Sequence, residues 1–184
     1  MAHHEIEAVH AELRKAIDGF LEGQTPHEAI GLDSDRILAM ALYAHELADQ
    51  GRPDSARLLL QTLAGLEPDN AYLHSCLGAL QMQMSDKEEA VVSLRRALDL
   101  DPNDIAAATN LGELALEKGD LESAAALLER AVTLDPEGRD PHANRARSLA
   151  MVVVAVAKEI EEKGPGALDE IRARIVRLEN EGHA

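Results

Sequence analysis

The segment LEPDN at residues 66–70 recurs as LDPND at residues 100–104 and as LDPEG at residues 134–138. Its prolines, Pro68, Pro102 and Pro136, are therefore separated by 34 residues twice in succession. A fixed period of this length indicates an array of helix-turn-helix units, each of which buries its apolar face against its neighbours. The sequence thus predicts an all-α chain built from tandem repeats.

The pattern inside each period supports this prediction when Ile37, Ala71 and Ile105 are counted as position 1. Position 8 holds Ala44, Gly78 and Gly112, position 20 holds Ala56, Ala90 and Ala124, and position 24 holds Leu60, Leu94 and Leu128. Small residues at positions 8 and 20 let two helices approach closely, and the leucines fill the space around that contact. Over these three periods the chain resembles the tetratricopeptide repeat family, whose first helices line a concave groove.

Composition and charge exclude several classes of protein. Aromatic residues make up 2% of the chain, which argues against a β-sandwich or barrel. The formal net charge is −16, so nucleic acid and anionic lipid are poor partners, and basic or apolar protein segments are better ones. The longest apolar run, residues 149–157, is too short to span a membrane. A single cysteine and the absence of a signal peptide at the N-terminus predict a reduced, cytoplasmic protein.

The repeats divide the chain into four predicted parts. Residues 1–34 form an N-terminal helix, in which Phe20 is a core anchor, and a short helix capped at Thr25; residues 35–138 form the three repeats. Residues 139–163 form a capping helix, which begins at Asp140-Pro141, and residues 164–184 a C-terminal helix.

The Val-rich run at residues 149–157 is apolar on every side, so a further helix or a second subunit must pack against its exposed side. We favour the C-terminal helix folding back onto it, through the stripe of Leu168, Ile171, Ile175 and Leu178. Helix-mediated dimerisation is the competing interpretation, and a strand at the Val-rich run is a further alternative.

No catalytic motif, phosphate-binding loop or paired-histidine zinc motif is present, so we predict no enzyme activity, no cofactor and no metal. His74 and Cys76 are close in sequence but point to different sides of a helix, and we interpret them as packing inside the second repeat. His3, His4, Glu7 and His10 have spacings that suit a metal, but incidental histidines on an exposed helix are the favoured interpretation.

The candidate binding residues follow by analogy with the repeat family, in which positions 2, 5, 9, 12 and 13 line the inner wall. We call the following twelve residues the candidate wall: Leu38, Ala41, His45, Tyr72, Ser75, Ala79, Met82, Gln83, Ala106, Thr109, Glu113 and Leu116. Small residues between larger apolar ones make shallow pockets for alternate side chains of an extended peptide. Some of these residues pack between repeats instead in the alternative interpretation. Positions 5 and 9 lack the Lys, Arg and Asn with which related repeats hold the acidic tail of large heat-shock chaperones.

The arrangement of the whole chain is similar to a narrower family. An N-terminal helix ending in Phe20-Leu21-Glu22-Gly23 precedes LYAHELADQGRPDSARLLLQTL at 42–63, LGALQMQMSDKEEAVVSL at 77–94 and LGELALEKGDLESAAALLERA at 111–131. Over residues 10–137 this resembles the class II chaperones of type III secretion, the low-calcium-response H family. The resemblance implies a bacterial cytoplasmic chaperone that holds an extended segment of a hydrophobic translocator in its groove and often forms a homodimer.

Two functions therefore stand as hypotheses. The first is a peptide-binding chaperone for secretion translocators, which rests on the resemblance and on the apolar candidate wall. The second is a general scaffold or assembly adaptor for protein–protein interaction, which uses the C-terminal helices as its docking surface.

Overall fold

The computed structural model describes residue 11, residues 14–19, residues 21–164 and residue 166. All regular structure within these residues is helical, as the sequence predicts. The chain divides into two compact units, residues 1–100 and residues 101–184. The first unit holds two of the repeats, and the second holds the third repeat and the helix that follows it.

Eight helices follow one another from Pro26 to Lys163. They are α1 (Pro26–Ala29), α2 (Ser34–Asp49), α3 (Pro53–Leu66), α4 (Ala71–Gln83), α5 (Lys87–Leu100), α6 (Ile105–Lys118), α7 (Leu121–Leu134) and α8 (Pro141–Lys163). The pairs α2–α3, α4–α5 and α6–α7 are the three predicted repeats.

The first unit is held together by an apolar cluster shared by α2, α3 and α4 and by the packing of α5 on α4. Leu60 and Leu94, at position 24 of their repeats, are 1% and 0% exposed. At position 8 of the second repeat, a side chain on Gly78 would lie 2.5 Å from Leu94 Cγ. The small residue is therefore what lets α4 and α5 pack this closely.

The second unit repeats this contact between α6 and α7. A side chain on Gly112 would lie 2.8 Å from Cγ of Leu128, which is itself fully buried. Ala124 at position 20 and Ala131 at position 27 are fully buried as well. The spacing in the sequence thus correctly predicts the buried face of the second helix.

The turn between the two helices of each repeat contains one residue with positive φ. Gly51, Ser85 and Gly119, at corresponding positions of the three repeats, have φ angles of 75°, 65° and 78°. Two of these positions hold glycine, which adopts this conformation without the steric penalty of a side chain. Ser85 adopts the same conformation with the steric penalty that its side chain brings.

In the second and third repeats, an arginine of the second helix donates hydrogen bonds to the loop that precedes its own repeat. Arg96 Nη2 donates to the Pro68 carbonyl at 3.2 Å and to Asp69 Oδ1 at 2.7 Å. Arg130, 34 residues later, donates to the Pro102 carbonyl. The loops containing LEPDN and LDPND are thus fixed in the same way in the two units.

The Val-rich run is helical, so the strand alternative is wrong. It lies within α8, which begins after Asp140, whose Oδ1 accepts hydrogen bonds from the backbone N–H of His142 and Ala143. α8 packs on α6 and α7, and Val153 and Val156 in it are buried. On the other side of the helix Met151 and Val154 are each 68% exposed.

The predicted capping at Thr25 is confirmed, because its backbone N–H donates to Glu28 Oε2 at 2.9 Å. Of the predicted N-terminal helix, residues 14–19 are helical, whereas Phe20 lies outside the described residues. The predicted C-terminal helix, apart from residues 164 and 166, also lies outside them, as do the histidines at positions 3, 4 and 10.

Candidate functional site

The part of the candidate wall in the first unit presents apolar side chains to solvent on α2 and α4. Leu38 on α2 is 46% exposed and Tyr72 on α4 is 41% exposed. Ala79 and Met82 are half-buried, and Gln83 is exposed. Leu38 and Tyr72 are therefore two large apolar side chains that are accessible to solvent, whereas the leucines of α4 are buried.

Three residues of the candidate wall are buried. Ala41 and Thr109 are 0% exposed and Ser75 is 6% exposed. All three stand at position 5 of their repeats, where the side chain packs between helices. Thr109 Oγ1 donates to the Ile105 carbonyl at 2.8 Å and lies 3.3 Å from the His142 carbonyl. A ligand on the wall would contact the residues around position 5 rather than these side chains.

A polar cluster that the sequence did not predict lies where α2 meets α4. His45 Nε2 is 3.4 Å from the Cys76 sulfur, and the Tyr72 hydroxyl also interacts with that thiol. Partial burial, followed by the charge of the Cys76 side chain and its hydrogen bond, raises the pKa of Tyr72 to about 12. Cys76 is 6% exposed, so Tyr72 and His45 form the accessible surface here.

His74 takes no part in this cluster. Its Nε2 is 2.9 Å from the Pro68 carbonyl, on the loop before α4. The expectation that His74 and Cys76 point to different sides is therefore confirmed. The sequence signal for the cluster was present in the repeat register, since His45 stands at position 9 of one first helix and Cys76 at position 6 of the next.

In the second unit, α8 contacts the candidate wall. Arg145 of α8 forms an ion pair with Glu113, and its Nη1 donates to Asn110 Oδ1 at 3.1 Å. Thr109 faces the backbone of α8 at His142. Ala106 and Leu116 remain half-buried. Glu113 is thus neutralised by a cation from the same unit.

Neither the first-unit nor the second-unit part of the candidate wall contains lysine or arginine; Glu113, the one carboxylate among its twelve residues, is paired, and position 13 adds Asp49 in the first repeat and Glu117 in the third. Such a surface offers apolar contact and hydrogen bonding but no cationic clamp for a carboxylate ligand. Among the residues that the structure describes, no three His, Cys, Asp or Glu side chains are grouped to hold a metal ion. No helix in that part of the chain is long and apolar enough to cross a membrane.

The sequence profile of the tetratricopeptide repeat matches residues 43–105 and 77–139, which together make up more than half of the chain. The chain belongs to the tetratricopeptide repeat family. Such repeats stack into extended binding surfaces for other proteins. The search of curated proteins finds no significant match.

Several solved structures share the fold of this tetratricopeptide repeat protein. PcrH of Pseudomonas aeruginosa, in complex with the chaperone binding region of PopD, is 24% identical with a TM-score of 0.61; the match covers 68% of this chain and 96% of PcrH. The type III secretion translocator chaperone SycD of Yersinia enterocolitica is 20% identical with a TM-score of 0.63, over 69% of this chain and 89% of SycD.

A neighbour with a different ligand has a similar score. The first repeat domain of Spaghetti (RPAP3), bound to the HSP90 peptide SRMEEVD, is 19% identical with a TM-score of 0.61; the match covers 70% of this chain and 98% of that one. At these identities the similarities establish the fold. The choice between an apolar and an acidic peptide depends on the residues of this chain.

Proposed function

We propose that this protein is a cytoplasmic chaperone of a bacterial type III secretion system that binds an apolar segment of a translocator protein. The part of the candidate wall in the first unit is the proposed binding surface, and the proposal gives it no catalytic role. The observation that carries the proposal is the exposure of Leu38 and Tyr72, which stand at predicted inner-wall positions, in a fold shared with translocator chaperones. SycD has also been solved with a peptide of the translocator YopD.

The chemistry of the candidate wall favours an apolar ligand over an acidic one. The proposed contacts are the side chains of Leu38, Tyr72 and Met82, and small residues between them leave room for alternate side chains of an extended segment. An acidic peptide such as SRMEEVD would meet no cation on the wall and a chain with a net charge of −16. The ligand that fits is apolar, with neutral or basic flanks.

The test is a pull-down with the purified chain from a lysate of its native host, combined with a charge-insertion variant. Tyr72→Glu with Met82→Glu places two carboxylates on the proposed surface. The matched control is Leu58→Glu with Val92→Glu, which alters two side chains that are 66% and 70% exposed on the second helices of the same unit. Circular dichroism establishes that both variants are folded.

The expected result is recovery of one or two proteins that contain long apolar stretches. Recovery falls at least tenfold with Tyr72→Glu and Met82→Glu and is unchanged with the control variant, because only the first variant requires an apolar segment to desolvate a carboxylate. Synthetic SRMEEVD should show no binding by calorimetry.

Two results would contradict the proposal. Equal recovery by both variants would exclude the candidate wall as the binding surface. Recovery of soluble partners only, retained by the wall variant, would favour the general interaction scaffold. Homodimer formation stays a prediction, to be measured by light scattering on the purified chain.

A further inference from the structure

Two residues of the candidate wall meet at one buried thiol in the first unit. His45 of α2 has its Nε2 atom 3.4 Å from the Cys76 sulfur, and the hydroxyl of Tyr72 on α4 hydrogen-bonds the same sulfur. Cys76 is 6% exposed, whereas His45 and Tyr72 are both exposed. This polar cluster places two hydrogen-bonding groups beside each other on a surface whose other large exposed side chain is Leu38.

The thiol fixes what the two exposed groups offer to a ligand. A thiol has one hydrogen, so Cys76 donates to one of its two partners and accepts from the other, and a neutral imidazole has one donor and one acceptor nitrogen. When Cys76 donates to His45 Nε2, the outer ends of the cluster are the N–H at His45 Nδ1 and the lone pairs of the Tyr72 oxygen. In the reverse order the outer ends are an unprotonated Nδ1 and the Tyr72 O–H. Either order presents one donor and one acceptor.

A donor beside an acceptor matches the backbone of one residue in an extended chain. The N–H and C=O of such a residue point to the same side, as in the hydrogen-bonded pairs of an antiparallel sheet. In an α-helix the two groups are already bonded within the helix. A carboxylate offers only acceptors and an ammonium group only donors. The ligand group that fits is therefore an extended peptide backbone.

An apolar segment needs such a contact when it lies along the wall. Its side chains are stabilised by contact with residues such as Leu38 and Met82, but its backbone groups lose water there. A backbone group that is removed from water without a new hydrogen bond destabilises the complex. The polar cluster supplies the missing partners for an extended segment, whereas a helical segment has no use for them.

We propose that His45 and Tyr72 hydrogen-bond the backbone N–H and C=O of one residue of the bound segment, and that Cys76 is the positioning residue that holds the two groups in place. This inference rests on the proposed function, because it assigns the polar contacts to the segment whose side chains the apolar residues bind. Recognition then depends on the conformation of the segment as well as on its side chains.

The test is an NMR titration of the full chain with N-acetyl-leucine-N′-methylamide, which carries one leucine side chain between two peptide groups. The matched probe has a methyl group in place of the hydrogen on the leucine nitrogen, so it keeps the side chain and loses one donor. Isotopic labels in the histidine rings and leucine methyl groups report on His45 and Leu38 separately. The titrations are run at about pH 8, where an ordinary imidazole is neutral.

Two pairs of variants identify the groups responsible. Cys76→Ala removes the link between His45 and Tyr72, whereas Cys76→Ser keeps a group that both donates and accepts. Tyr72→Phe removes the hydroxyl of the cluster, whereas Tyr43→Phe removes that of a tyrosine that is 50% exposed and is not part of the candidate wall. Circular dichroism establishes that all four variants are folded.

The expected result is a shift of the His45 ring signals that is at least threefold larger with the first probe than with the N-methylated probe, while both probes shift the Leu38 methyl signals equally. This preference is retained in Cys76→Ser and Tyr43→Phe and is lost in Cys76→Ala and Tyr72→Phe. The Leu38 shifts stay unchanged in all four variants, which a general loss of structure would not allow.

The outcomes that overturn the inference are distinct from those that overturn the proposed function. Equal shifts of His45 with both probes, together with a response of Leu38, would refute backbone recognition by the polar cluster and leave the apolar surface in place. A preference that survives in Cys76→Ala would refute the positioning role of the thiol. The absence of a Leu38 response to either probe would contradict the apolar binding surface and, with it, both proposals.

Discussion

Replacing Gly78 with alanine should destabilise the protein, although alanine is the better helix former. A Cβ atom at this position would lie 2.5 Å from Leu94 Cγ, 2.7 Å from Leu94 Cδ2 and 3.2 Å from the Leu94 backbone nitrogen. The first two contacts are with a fully buried side chain and the third is with the backbone. α4 and α5 must therefore move apart to accept the methyl group.

Two opposing contributions set the magnitude of this effect. Alanine in place of glycine within a helix stabilises by about 1 kcal/mol. Overpacking a tight interior contact costs about 1–3 kcal/mol. The net expectation for Gly78→Ala is a loss of about 1 kcal/mol, which lowers the melting temperature by roughly 2–4 °C in a chain of this size.

Gly65→Ala is the control, because a Cβ atom on Gly65 in α3 would meet no atom within 4 Å. It lies in the last turn of α3, where the gain in helix propensity is smaller than at Gly78, but it meets no clash, so its melting temperature should rise by at most about 4 °C. Thermal unfolding followed by circular dichroism measures both variants. A Leu94→Ala background removes the two side-chain contacts and keeps the 3.2 Å contact with the backbone nitrogen, so Gly78→Ala should destabilise less there than in the wild type.

One result would refute the reasoning. If Gly78→Ala and Gly65→Ala raise the melting temperature equally, the contact with Leu94 does not determine how closely α4 and α5 pack. The small residue at position 8 would then reflect something other than helix spacing.

Three further predictions concern a turn, a helix cap and a tyrosine. Ser85→Gly should raise the melting temperature by roughly 2–4 °C, because it removes a left-handed conformation that costs a side chain about 1 kcal/mol; a decrease would contradict this. Hydrogen bonds from Ser123 lower the pKa of Asp120. The ionised Asp120 therefore stabilises the fold at a pH above its ordinary pKa, and this contribution is lost as the pH falls. The difference in melting temperature between the wild type and Asp120→Asn should shrink from pH 6 to pH 3. In Tyr43→Phe, which leaves Tyr72 as the one tyrosine, ultraviolet absorbance should give a pKa of about 12, and stability should fall as the pH rises from 10 towards 12; ionisation near pH 10 in the folded chain would contradict the burial of this hydroxyl.

The repeat period predicts the buried faces of the second helices because the two helices of every repeat pack on each other in the same way. Leu60, Leu94 and Leu128 are each at most 1% exposed, as their common position requires. The first repeat departs from the pattern at Tyr43, which is 50% exposed although Leu77 and Leu111 at the same position are 7% exposed. A residue at the beginning of an array lacks the preceding repeat that would bury it.

The candidate wall was less predictable, because its geometry depends on which side chains meet across neighbouring helices. The period identifies position 9 but does not say that His45 reaches the Cys76 thiol or that Glu113 pairs with Arg145. Those contacts depend on the residue that happens to stand on the next helix. Burial of Thr109 likewise depends on where α8 crosses α6.

The contact between His45 and Cys76 makes the chain's one thiol a chemical probe of local opening at the junction between α2 and α4. Because Cys76 is 6% exposed and is covered by His45 and Tyr72 at the junction of α2 and α4, a thiol reagent reaches it when this junction opens. The ratio of its reaction rate to that of an unstructured thiol therefore gives the equilibrium constant for that opening, without isotopic labelling. The stability of this junction can be measured apart from the global unfolding of the molecule, on the native sequence.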